Sequence, residues 1–165
     1  MLVEEVFEIK FYPELKEYIE TNNPYSAKVV KVYSEDSKIF PLIPVKLLPR
    51  ITNKYNNLNY GEETYSFGIE INIYAIDTTV EETTTPTVEG EEPTVTYKKV
   101  SKKTICDNLT SIIVNYIKDN YHFTIHVTHD APNIDDSVHR NIIQLNGVLD
   151  TKYGNDNLVI YPTLR

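Results

Sequence analysis

Tryptophan is absent from the chain, and cysteine and methionine occur once each. With Cys106 alone there is no intrachain disulfide and no cysteine-built zinc site. One free thiol suits a reducing cytosol. Glycine is scarce, with five residues standing singly at 61, 68, 90, 147 and 154. Phosphate-cradling loops of the Walker or dinucleotide type need clustered glycines between a strand and a helix, which excludes both. Positive charge is also short: 16 Lys and Arg stand against 24 Asp and Glu, a formal net charge of −8. Such a chain is repelled by nucleic acid unless its lysines gather on one face. No apolar run approaches the ~20 residues that span a membrane. The opening MLVEEVFEIK has acids where a signal peptide has its basic region. The expectation is a soluble protein made without export and without a membrane partner.

What is present suits one domain over residues 1–165. A domain of this size buries roughly 70% of its unfolded surface and folds without a disulfide or metal. The 13 tyrosines admit two readings. They fill sheet faces, or they offer an apolar body and a polar tip to a partner.

Periodicity orders the chain. Residues 3–11 are ambiguous: Phe7, Ile9 and Phe11 alternate like a strand, while Val6, Ile9 and Pro13 would share a helix face. Pro13 followed by Leu15, Tyr18 and Ile19 predicts a helix over 13–21, with an earlier start allowed, and Asn22-Asn23-Pro24 ends it. Residues 27–34 read as a strand, 35–38 as a turn and 40–48 as a strand. Pro41 and Pro44 place that last strand at a sheet edge or give it a bulge. Over 63–76, Tyr65, Phe67, Ile69, Ile71 and Ile73 alternate with Ser66, Gly68, Glu70 and Asn72. This predicts a strand long enough to run past the core.

Composition then shifts. Residues 77–96 are rich in Thr and Glu and contain no Lys or Arg. The segment reads either as an acidic loop or as a hairpin arm with strands at Thr83–Val88 and Thr94–Tyr97, tipped by Glu89-Gly90-Glu91-Glu92. Ile105, Leu109, Ile112, Ile113, Tyr116 and Ile117 form an apolar stripe that predicts a helix over 98–119. Phe123, Ile125 and Val127 alternate in a strand. Two last strands, at 138–149 and 157–161, flank a turn at 153–156. The predicted fold is α+β: a mostly antiparallel twisted sheet of five to six strands, two main helices on one face, and the 77–96 insertion.

The chemistry-bearing residues do not assemble into a known site. His122 and His126 on a strand lie about 13 Å apart, too far to share a zinc ion. Asp130, Asn133, Asp135 and Asp136 lack calcium-loop spacing and read as a polar loop. Cys106 has no identifiable partner base, and Ser137 beside His139 is no triad signature. No catalytic residue, cofactor or metal is expected. The one dense basic cluster is Lys98, Lys99, Lys102 and Lys103, placed at a helix N-terminus where the macrodipole disfavours cations. It is a solvated first turn, or it meets an acidic partner: the glutamates Glu81, Glu82, Glu89, Glu91 and Glu92 of a neighbouring copy, or DNA.

One resemblance spans most of the chain. The short N-terminal helix, the segment KVVKVYSEDSKIFPLIPVKLL read as a hairpin with Phe40-Pro41-Leu42, the strand ending EINIYAID and the amphipathic helix follow in order. VHRNIIQLNGVLDTKYGNDNLVIY closes the series, with Arg140 opening a strand. In this order the chain resembles the tail-terminator (tail-completion) proteins of long-tailed bacteriophages. The resemblance implies a homo-oligomeric ring, typically of six subunits, in the virion at the head-proximal end of the tail tube, assembled in the host cytoplasm. It would end tube polymerisation and join tube protein to the head connector, while genomic DNA passes through without specific binding. It implies no catalytic residues. The 77–96 insertion is longer than the family leads one to expect. A neck or head-completion protein is the alternative within assembly. A nucleic-acid-binding module using the lysines and tyrosines, or a small enzyme with an unrecognised site, are the alternatives outside it.

Overall fold

The computed structural model describes residues 3–31, 39–49, 51–53, 64–150 and 160–161. The turns expected at 35–38 and 153–156 lie outside them. The fold is α+β, with helices on one face of a mixed, mostly antiparallel sheet and a separate two-stranded ribbon.

The N-terminal segment is helical throughout. Helix α1 (Val3–Val6) continues through a π-helical turn (Phe7–Phe11) into α2 (Tyr12–Asn22). Pro13 has no N–H to offer Ile9, and in a regular turn its ring would press on that carbonyl. The widened turn sits where this clash would fall, with the Tyr12 N–H donating to the Phe7 carbonyl. The strand reading of 3–11 fails for a packing reason: Phe7 and Phe11 are buried, one helical turn apart, while Ile9 is 69% exposed.

The main sheet contains β1 (Lys28–Val30), β2 (Leu42–Leu47), β3 (Ile51–Asn53) and β4 (Thr64–Ala75). The arm strands are β5 (Thr78–Thr84) and β6 (Thr94–Val100). After α3 (Lys102–Asn120) come β7 (Thr124–Thr128), β8 (His139–Asp150) and β9 (Ile160–Tyr161). Strand order along the main path is β1-β2-β4-β8-β7, with β3 also on β4 and β9 also on β8. The long strand β4 pairs with β8 along its whole length, from Thr64↔Asp150 to Ala75↔His139.

Two expectations about the first strands need correction. β1 and β2 pair in parallel, Val29 beside Ile43, so the segment is not a hairpin. Nor is β2 an edge: β1 covers it. The register of β2 on β4 is unbroken from Leu42↔Tyr74 to Leu47↔Ile69, past Pro44, and it differs by one residue only where β3 begins at Ile51↔Ser66. The edge belongs to β1, and α2 occupies it: Lys16 Nζ donates to the Val29 carbonyl at 2.8 Å, and Glu20 accepts from the Val29 N–H at 3.1 Å.

One apolar core lies between sheet and helices. Ile105, Leu109, Ile113 and Ile117 of α3 and Leu15 and Ile19 of α2 pack on Ile43, Val45, Ile69, Ile71, Ile73, Ile143 and Leu145. Tyr18 stacks on Tyr116 at 4.3 Å, locking α2 to α3. The Tyr121 hydroxyl donates to Glu14 at 2.6 Å. No helix among the described residues is long and apolar enough to cross a membrane.

Candidate assembly surface

The segment after β4 is a β-ribbon. β5 and β6 pair antiparallel from Thr78↔Val100 to Thr84↔Thr94. The first arm strand starts earlier than Thr83 and stops at Thr84 rather than Val88, and the second starts at Thr94 as expected but runs on past Tyr97 to Val100, because Thr, Val and Tyr suit a strand. Seven residues per strand make an arm of roughly 20 Å. Its tip is a turn with Gly90 at φ 106°, a backbone region that favours glycine.

The arm is bare on both faces. One face presents Thr79, Glu81 and Thr83 beside Val95, Tyr97 and Lys99; the other presents Val80 and Glu82 beside Thr96 and Lys98. Tyr97 is 68% exposed, Val88 at the tip 58% and Val95 50%. Val95 and Tyr97 share one face of the ribbon, and Val88 adds a third exposed apolar side chain at its tip.

Of the predicted interface residues, Glu81 and Glu82 lie in β5, and Glu89, Glu91 and Glu92 at the tip. Lys98 and Lys99 are not in the first helical turn as expected; they are in β6. The helix starts at Lys102 because Ser101 takes the N-cap, its hydroxyl accepting from the Thr104 N–H at 3.2 Å. Asp77 accepts from the Lys102 N–H at 2.8 Å. This carboxylate at a helix start has the sign the macrodipole favours, and it ties the arm's root to α3.

Some cations are already engaged. Lys102 Nζ donates to the Asp136 carbonyl at 2.6 Å, and Lys103 Nζ lies 3.7 Å from Asp130. Arg140 donates to Asn72 Oδ1 through Nε at 2.9 Å and Nη2 at 2.8 Å, and to the Pro132 carbonyl at 3.3 Å. Its guanidinium also lies over the Tyr74 ring. Arg140 therefore binds its own sheet on the face away from the helices. Among the described residues, no ion pair is formed by Lys98, Lys99 or the five arm glutamates.

Sequence reasoning missed a polar knot beside the arm's root. Asp107 accepts from Asn141 Nδ2 and contacts His129 Nδ1, each at 3.0 Å. Asn141 is fully buried and also donates to Thr110 Oγ1 at 3.1 Å. Burial pushes the Asp107 carboxyl up, but the hydrogen bonds from Asn141 and His129 and the nearby His129 and Lys103 charges leave it below its ordinary range. His139 Nε2 lies 3.0 Å from Asp130 Oδ1, off the line of a good hydrogen bond. No sequence signal pointed to it: Asp107 lies in α3, His129 just past β7 and Asn141 near the start of β8.

The knot is not built for nucleophilic chemistry. Cys106, beneath it, is buried, and desolvation with the Asp107 charge pushes its thiol up to about 12. A recess of about 510 Å³ lies at the arm's root, lined by Asp77, Thr78, Thr79, Lys99, Val100 and Ser101. Its single carboxylate is occupied in capping α3. Among the described residues, no group of three or more His, Cys, Asp and Glu is placed to hold a metal ion. His122 and His126 are exposed, and His126 alone lies within β7. No protein-family model matches the chain, and no curated protein sequence matches it.

Proposed function

We propose that this protein is an assembly subunit of a virion, packing copies of itself into a closed ring. The observation that carries this is the bare arm. A two-stranded ribbon alone in water is marginally stable at best. The 78–100 ribbon leaves the body with both faces and its apolar side chains in solvent. It needs a partner, and a second copy supplies one. A closed ring follows when such a contact is heterologous and returns on itself.

The resemblance to tail terminators supplies the setting: the head-proximal end of a tail tube, where the ring ends tube growth and receives the head connector. Six copies is the number the family suggests. The acidic composition suits a wall past which DNA slides.

The test is the mass and shape of the purified protein, alone and with tube protein. Ring oligomers are expected in electron micrographs, and co-sedimentation with tubes. Co-sedimentation with heads alone favours a neck or head-completion role. Monomers under both conditions overturn the assembly reading.

A further inference from the structure

Charge is sorted between the two edges of the arm. β5 has two charged residues, Glu81 and Glu82, both acidic; β6 has two, Lys98 and Lys99, both basic. Within the ribbon these do not oppose one another: Glu81 faces Tyr97 and Glu82 faces Thr96. Neither strand contains proline, and each has an outer edge that no other described strand pairs with. Unblocked edges of this composition are templates for another strand. The body protects its own β1 edge with Lys16 and Glu20 of α2, so the bare edges of the arm stand in contrast.

We infer that the arms of neighbouring copies join edge to edge, β5 of one against β6 of the next, in antiparallel register with Glu81 opposite Lys99 and Glu82 opposite Lys98. This rests on the assembly reading and specifies its contact. Side chains alternate across a ribbon, so directly opposed residues share a face. Glu81 and Lys99 lie on one face of the arm and Glu82 and Lys98 on the other. One register therefore satisfies both pairs at once without turning either arm over. The same register sets Thr83 opposite Tyr97 and Val80 opposite Val100.

The charges also select the symmetry. Joining β5 to β5 sets acid beside acid, and β6 to β6 sets lysine beside lysine, each destabilising when directly opposed. A two-fold dimer through one edge is disfavoured. The heterologous join leaves one edge open at each end of the row until the row closes.

The test uses two full-length variants, Glu81→Lys with Glu82→Lys, and Lys98→Glu with Lys99→Glu. Each alone gives both arm edges one sign, and each is expected to sediment as a monomer. Mixed in equal amounts, they again offer opposite edges and are expected to recover oligomers with the two chains alternating. A contact made within one chain cannot produce recovery on mixing.

A second measurement leaves charge untouched. Thr83→Cys in one chain and Tyr97→Cys in another are expected to cross-link on mixing under oxidising conditions, with Cys106 buried and silent. Oligomers that survive either charge reversal, or cross-linking of Thr83→Cys only with itself, overturn the edge pairing while leaving assembly standing. A wild-type monomer overturns both. Salt-sensitive DNA binding through Lys98 and Lys99 in place of self-association overturns the inference in favour of nucleic acid.

Discussion

Asp107 links the body of the protein to pH. Its carboxyl sits below the ordinary range because Asn141 and His129 hold it in its charged form against the cost of burial. A carboxylate whose folded-state pKa is depressed adds stability above its unfolded pKa, near 4, and loses it as pH falls through the folded value. The side chain is 39% exposed, so solvent screens much of the effect. Asp107→Asn is expected to lower Tm at pH 7 by roughly 2–4 °C. The gap between variant and wild type should narrow as pH falls below about 4 and through the folded value, where the wild-type carboxylate takes up its proton. Thermal melts at pH 7, 5 and 3 check this, and a gap that widens toward acid contradicts it. Nothing in the sequence marks this knot, because Asp107, His129 and Asn141 meet only once α3, β7 and β8 are packed. Isolated polar residues have no periodicity to read.

At the scale of elements, the arm is separable from the fold. Only Val100, at its root, packs against the core, and Thr78 and Val100 already sit opposite one another. Replacing 79–99 with Asn-Gly, a favoured two-residue hairpin link, is expected to leave Tm within roughly 4 °C of wild type. The same deletion should abolish self-association. An unfolded product, seen as loss of the cooperative melt, would make the arm part of the body's fold instead. The elements legible in the sequence were those with one dominant period: β4, with five apolar residues on alternate positions, and α3, with its stripe from Ile105 to Ile117. The elements left open or misread had competing signals. Phe7-Ile9-Phe11 alternates like a strand, but Pro13 and the burial of Phe7 and Phe11 made it a widened helical turn. Lys98 and Lys99 run straight into helical sequence, yet Ser101 caps the helix after them and leaves both lysines to the strand. The parallel join of β1 to β2 was not legible because its determinants are distant: Lys16 and Glu20 grip Val29 from α2. Local turn signals favour a hairpin, and only the tertiary contact reverses it.

At the scale of the whole molecule, composition and placement of charge make different statements about DNA. The formal charge of −8 repels the phosphate backbone, while Lys98, Lys99, Lys102 and Lys103 lie close together along the end of β6 and the start of α3. The local picture weakens on inspection. Lys102 donates to the Asp136 carbonyl and Lys103 lies beside the Asp130 carboxylate, and Asp77, Asp107 and Asp135 add negative charge at the same end of the sheet, offsetting the lysines and Arg140 there. If Lys98 and Lys99 lie in an arm-to-arm seam, they are neutralised by Glu82 and Glu81 and withdrawn from any polyanion. Exposed ion pairs of this kind are screened over about 8 Å at physiological salt, so they orient the join more than they hold it. Two measurements follow from one cause. Duplex DNA is expected to show no retention in fluorescence anisotropy at about 0.15 M salt, the regime in which backbone binding needs several free cations. Oligomers are expected to persist at that salt and loosen only as ionic strength rises further, because backbone pairing along the joined edges remains when charge is screened. DNA binding that falls steeply with salt and disappears when the four lysines are neutralised would reverse the assignment, making the basic end a nucleic-acid surface and leaving the arm without a neighbour to explain it.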